Sequence, residues 1–164
     1  MIFVTVGEQL PFDRLINAVN NWASDSGEEV FAQIGNSQLK PKTIKYQKHL
    51  DPLEFNRAFL AAEVIIAHAG MGTIITALEL GKPLLVMPRQ ACLGEHRNDH
   101  QFATAKRFLE QGYISVAFDV PELMKKLEDL QKRRDTTRTT KAVRTSSALI
   151  KVIQDFIFDA ETDS

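Results

Sequence analysis

A chain of 164 residues, 44% of them hydrophobic and with a formal net charge of −1, has the size and composition of one globular domain that buries roughly 70% of the surface its unfolded chain exposes. A single cysteine, Cys92, excludes a disulfide framework and a cysteine-based zinc site. No stretch approaches the ~20 apolar residues that cross a bilayer, and the opening MIFVTVGEQLPF lacks the basic flank and length of a signal peptide, so a cytoplasmic protein with no nucleic-acid partner is expected. In chain order, β-rich apolar runs predict strands over 2–6, 30–34, a weaker one over 43–46, then 64–67, 84–87 and 114–117. Nearly all are unbroken rather than alternating, the pattern of strands covered on both faces. Between them, apolar residues at three- and four-residue spacings predict helices over 12–23, 53–62, 73–80, 99–111 and 121–131. Phe102, Phe108 and Met124 read as core. A last helix is expected over 142–158, with Leu149, Ile150, Ile153, Phe156 and Ile157 on one side. The alternation predicts an α/β fold, a Rossmann-like parallel sheet with helices on both faces.

In such a sheet the ligand lies beyond the carboxyl ends of the strands. Three loops there are unusual: 7–11 (GEQLP), 35–37 (GNS) and 68–73 (HAGMGT). The third runs from the strand EVIIA straight into the helical pattern TIITALEL. A helix N-terminus exposes about four unpaired N–H groups and about half a positive charge, and glycines let an oxygen-rich ligand reach them. Gly70 and Gly72 would give close approach, Thr73 a hydroxyl and a cap or first-turn amide, and His68 a further hydrogen bond. The alternative is a tight strand-to-helix turn that Thr73 merely caps. A P-loop is excluded, because Lys82 is followed by Pro83 rather than Ser or Thr. A dinucleotide fingerprint fails as well, because Gly7 stands alone in the first turn. A nucleotide diphosphate held in the second half of the sheet remains, which points to nucleotide sugars.

The stretches FVTVGEQLPFDRLI, AEVIIAHAGMGTIITALELGKPLLVMPR and EHRNDHQFATAKRF resemble the C-terminal, donor-binding half of GT-B glycosyltransferases of the family 28 type, over about residues 1–118. The resemblance extends to free-standing cytosolic subunits of split transferases: those of the dolichol-linked N-acetylglucosaminyltransferase and of bacterial exopolysaccharide or capsule assembly. It implies that His68, Gly70, Gly72 and Thr73 hold the diphosphate of a UDP-sugar and that Gly7 faces the donor. Glu8 replaces a threonine common in the family, and repulsion from phosphate places it toward the acceptor or solvent. Thr76 stands where the family often has a glutamate that grips the ribose, and Glu79, three residues on, is the nearest acid. His100 and Gln101 match a pair that binds the hydroxyls of the donor sugar.

The loop PRQACLGEHRNDHQ is the second rich region. Arg89 and Arg97 could meet phosphate charge bidentately, and Glu95, His96 and Asp99 complete the group. Its alternative reading is a solvated, helix-capping charge cluster. His96 and His100 stand at i and i+4, but without an HExxH pattern no metal is expected.

The implied function is that of a donor-binding subunit of an inverting hexosyltransferase. It would move a sugar from a UDP-sugar to a lipid-linked saccharide acceptor in polysaccharide or exopolysaccharide biosynthesis, with no cofactor beyond the donor. One half of a GT-B enzyme should need a membrane-anchored, acceptor-binding partner, which would place the chain peripherally at the cytoplasmic face of the membrane. Glu8, His68 and His96 are candidates for a base, and none is preferred. Two alternatives are a non-catalytic subunit that enhances or stabilises a transferase, and a nucleotide-binding regulatory module. From 121 to 151 nine Lys or Arg face four Asp or Glu. That surplus could approach anionic headgroups at about 1 kcal/mol per charge, or simply form a solvated helix face and a Thr-rich linker.

Overall fold

The computed structural model describes residues 1–137. Six strands, β1 (Ile2–Thr5), β2 (Val30–Gln33), β3 (Lys45–Gln47), β4 (Val64–His68), β5 (Leu84–Met87) and β6 (Ser115–Val116), form one sheet in the order β3-β2-β1-β4-β5-β6. Every pairing is parallel. The crossovers are α1 (Asp13–Ser26), α2 (Pro52–Ala61), α3 (Met71–Glu79) and α4 (His100–Glu110), followed by α5 (Val120–Thr137), with a 3-10 turn at Ala91–Leu93. The strand order reverses between β1 and β4, and at that switch point the loops splay apart and open a crevice.

Successive side chains of the central strands feed two separate cores. Ile2, Val4, Val30, Val64 and Ile66 pack with Leu15, Ile16, Val19 and Trp22 of α1 and with Leu123 and Leu127 of α5. Phe3, Ile65, Leu84 and Val86 point the other way, onto Phe59 of α2, Ile74 and Ala77 of α3 and Phe108 of α4. Phe3 sits among Phe31, Phe55 and Phe59, with ring centroids 5.5 to 6.2 Å away. Because both faces of the central strands are covered, those strands are apolar at nearly every position, which is why they read as continuous runs.

Four expectations shift. The weak strand expected over 43–46 lies at Lys45–Gln47, and all three residues are exposed, as an edge strand allows. Helix α3 starts at Met71 with Gly70 as its N-cap, so Thr73 lies in the first turn rather than at the cap. Phe102 is 38% exposed and rests on Phe118 at 4.8 Å instead of entering the core. Helix α5 continues past 131 to Thr137, because its run of Lys, Arg and Gln holds no Gly or Pro to stop it. The helix expected over 142–158 and the part of the basic stretch beyond residue 137 lie outside the described residues.

Helix α2 opens with a reciprocal cap. Asp51 accepts a hydrogen bond from the Glu54 amide at 2.8 Å while the Glu54 carboxylate accepts one from the Asp51 amide at 3.1 Å, and Pro52 begins the helix. Together these fix how Leu50 and Pro52 arrive beside the carboxyl edge of the sheet.

Candidate functional site

The carboxyl ends of β1 and β2 place Thr5 directly across from Gln33, on the face covered by α2 and α3, and Thr5 across from the small Ala67 of β4. The Thr5 hydroxyl donates to Gln33 Oε1 at 2.7 Å, and both residues are buried. Gly7, at φ 69°, then turns the chain outward, a conformation that glycine adopts without penalty. Above Thr5 and Gln33 lies a cleft of about 330 Å³, walled by Leu50, Pro52, Phe55 and Asn56 on the α2 side and by Gly7, Glu8 and Thr73 on the others. Its volume is at the lower end of small-ligand sites. Glu8 is exposed at this cleft, and Asn36 holds its loop by donating to the carbonyls of Glu8 and Gln9 at 3.1 and 2.8 Å.

Helix α3 presents its N-terminus here with no side-chain cap. The first-turn amides, those of Gly72 and Thr73 among them, and the positive end of the dipole are therefore available to an anion. A Cβ on Gly72 would meet nothing within 4 Å. Gly70 is glycine for a different reason: a Cβ there would lie 2.3 Å from His68 Nε2, and one on Gly7 would lie 2.9 Å from His68 Cε1. Two of the three glycines are thus cleared for an imidazole of the protein, and one leaves open space.

His68 ends β4 with Nδ1 3.4 Å from the Thr5 carbonyl oxygen. Burial and then the nearby Arg89 charge lower its pKa to about 4, against the raising effect of the Thr5 contact, and His96 adds a smaller lowering. At neutral pH the ring is uncharged. With Nδ1–H donating to Thr5, Nε2 carries a lone pair, and a diphosphate beside it would favour the imidazolium.

The loop after β5 uses its charges inward. Arg89 is 1% exposed. Its Nη1 donates to the carbonyls of Pro11 and Glu95 at 2.9 and 3.1 Å and its Nη2 to that of Val6 at 2.7 Å, while the guanidinium lies 4.8 Å over the Phe12 ring. Burial lowers its pKa to about 10, opposed by Glu95, and it stays charged. Instead of the phosphate contact expected of it, Arg89 ties the β1 loop to the β5 loop. Glu95 is likewise turned on the protein: it is 9% exposed, takes two bonds of 2.8 Å from Arg14 and accepts from the Gln90 amide at 3.0 Å.

The remaining expected residues are dispersed. Gln101 is half-buried, and its Oε1 accepts from the Arg89 amide at 3.3 Å. His96 turns to Asn98 at 3.1 Å. Arg97 and His100 are exposed, and the His100 amide donates to Asn98 Oδ1 at 3.3 Å. The Thr76 hydroxyl donates back to the Gly72 carbonyl at 2.9 Å. Glu79 is exposed at the far end of α3. Neither Thr76 nor Glu79 lines the cleft. Among the described residues no group of three or more His, Cys, Asp or Glu could hold a metal ion. Sequence reasoning passed over Thr5, Gln33, Leu50, Pro52, Phe55 and Asn56. Two signals were legible: Thr5 and Gln33 are polar residues one position before the end of otherwise apolar runs, and DPLE announces a capped helix start.

A parallel sheet with this strand order and a crevice at its carboxyl edge defines an α/β lobe of the Rossmann-like kind. The chain belongs to the Glycosyltransferase family 28 C-terminal domain family, which matches it over residues 1–155. It is 30% identical over 125 residues to the mouse protein named UDP-N-acetylglucosamine transferase subunit ALG13, a match that covers 68% of this chain and 10% of that protein. The human protein of the same name is 30% identical over 128 residues, covering 69% and 10%. One from Cryptococcus neoformans is 26% identical over 129 residues, covering 77% and 59%. The chain therefore spans about a tenth of the mouse and human relatives. Among solved structures it superposes on the calicheamicin glycosyltransferase CalG4 with a TM-score of 0.58 at 18% identity, over 79% of this chain and 34% of that one. The solution structure of ALG13 gives 0.56 at 19%, over 80% and 85%. These likenesses show the fold. Among the described residues no helix is long and apolar enough to cross a membrane.

Proposed function

We propose that this chain is the donor-binding lobe of a UDP-sugar-dependent, inverting glycosyltransferase. It acts with a membrane-anchored partner subunit that brings a lipid-linked saccharide acceptor, in polysaccharide assembly. The observation that carries the reading is the cleft at the switch point. An apolar wall and buried amide and hydroxyl groups stand on one side, and an uncapped helix N-terminus on the other. The diphosphate sits at the first turn of α3 beside Gly72 and Thr73, and the nucleoside lies between Gln33 and the Leu50–Phe55 wall. As the bond from the sugar to the diphosphate breaks, negative charge grows on the leaving oxygens, and fixed amides at a helix terminus stabilise it without reorganising. The relatives' names, which specify a UDP-N-acetylglucosamine transferase and a subunit, support both the donor class and the need for a partner. His100 and Gln101, in the first turn of α4 where Gln101 accepts from the Arg89 amide, meet the hydroxyls of the donor sugar. The partner supplies acceptor orientation and the base, each worth several kcal/mol of barrier.

Calorimetry tests donor binding. Gly72→Val places a branched side chain in open space over the amides. The loss of two charge-assisted hydrogen bonds at about 1.5 to 3 kcal/mol each weakens UDP by about 100-fold or more. Unchanged affinity in the folded variant removes the diphosphate site. Incorporation of radiolabelled sugar into a lipid-linked acceptor tests the partnership: the isolated chain transfers nothing and added membranes containing the partner restore transfer. Transfer by the chain alone would contradict it.

A further inference from the structure

Gln33 is 3% exposed at the carboxyl end of β2, and it lines the cleft. A buried primary amide has two donors and one acceptor to satisfy. The acceptor is satisfied by Thr5, whose own hydroxyl oxygen takes the Gly7 amide at 3.4 Å. Gly7 N–H donates to Thr5 Oγ1, and the Thr5 O–H donates to Gln33 Oε1. The Gln33 nitrogen is therefore turned away from Thr5. Among the described residues it has no protein partner. The only sealed side-chain nitrogen or oxygen lacking a partner among them is Trp22 Nε1. Gln33 Nε2 consequently opens into the cleft it lines, held there by a network that leaves it nothing else to bind.

The surroundings select what it meets. Leu50, Pro52 and Phe55 form an apolar wall suited to a flat ring, and a pair of N–H donors at the floor of such a slot meets an acceptor in the plane of that ring, which for a uridine nucleotide is a base carbonyl oxygen. We infer that Gln33 is a specificity-determining residue of the donor site, whose side-chain amide, oriented by Thr5, donates to a carbonyl oxygen of the nucleotide's base. The inference rests on the donor-binding reading above. It assigns this role to a residue that neither motif nor charge singles out. It also makes Thr5 a positioning residue, which acts on the base only through Gln33.

The test compares UDP with inorganic pyrophosphate, which shares the diphosphate and lacks the base, by calorimetry on the full chain. Gln33→Met removes the donors at nearly constant volume. UDP binding falls about tenfold or more, the effect of one unmade hydrogen bond in a buried site, and pyrophosphate binding is unchanged. Gln33→Glu retains an acceptor for Thr5 and so keeps the network if the methionine variant fails to fold; it too weakens UDP more than pyrophosphate. Thr5→Val reproduces part of the loss for UDP alone. Equal loss of both ligands, or retention of UDP affinity in either folded Gln33 variant, overturns the assignment while leaving the donor site in place. Failure of the unaltered protein to bind UDP at all would instead overturn the donor reading itself.

Discussion

Two regions at the carboxyl edge of one sheet use their polar atoms in opposite ways. Around β5 the strongest charges in the neighbourhood, Arg89, Glu95 and Arg14, are turned on the protein: three backbone carbonyls, a bidentate ion pair and an aromatic face absorb them. Around β1, β2 and α3 the groups are modest, and an amide and a row of backbone N–H groups are the ones left open. A binding lobe must first be rigid, and buried charge that is fully paired fixes loops relative to one another. The ligand then meets groups that are cheap to desolvate. Charge density in a sequence marks where loops are tied as readily as where a ligand is held.

The contrast can be broken most severely at Arg89. Arg89→Met leaves the carbonyls of Val6, Pro11 and Glu95 buried without a donor, and urea unfolding should show a loss of about 3 to 5 kcal/mol. A loss below 1 kcal/mol would mean that the two loops hold themselves.

His68 gives the next effect, through pH. Its pKa in the folded chain, about 4, lies below the unfolded value near 6.5. The unfolded state therefore binds more protons between those values. Stability is full above pH 6.5 and declines as pH falls toward 4, by about 2 kcal/mol after allowance for partial exposure. His68→Gln should flatten that part of the profile, and NMR titration of the imidazole should give a midpoint near 4. A midpoint near 6.5 would show an open, hydrated ring.

The glycines sharpen the contrast at smaller cost. Gly70→Ala drives a methyl group against the His68 ring and should cost about 1 to 2 kcal/mol. Gly72→Ala, in open space within the first turn of α3, should change stability by less than 1 kcal/mol and in the favourable direction. Equal costs would erase the distinction between a glycine kept for the protein and one kept for a ligand.

Much of this fold was legible beforehand because continuous apolar runs and helical spacing are local signals. The strand over 84–87 was read to the residue, and the α3 turn was recognised from its glycines. The edge strand was misplaced because its three residues face solvent and carry no burial pattern. The site was read less well. HAGMGT displays its chemistry in consecutive residues, whereas the Thr5–Gln33 pair exists only through parallel register between strands 28 residues apart in sequence. Arg89 and Glu95 misled for the complementary reason: nothing local reveals that Val6, Pro11 and Arg14, more than 70 residues away, will occupy them.

The central claim is that a nucleotide diphosphate binds in the cleft over α2 and α3 rather than against the charged β5 loop. An amide NMR titration of the labelled chain with UDP tests it directly. The account predicts saturable shifts concentrated at Gly7, Gln33, Leu50, Phe55, Gly72 and Thr73, with the side-chain amide of Gln33 among the largest. Shifts confined to the segment 89–101, or none at millimolar UDP, would contradict it.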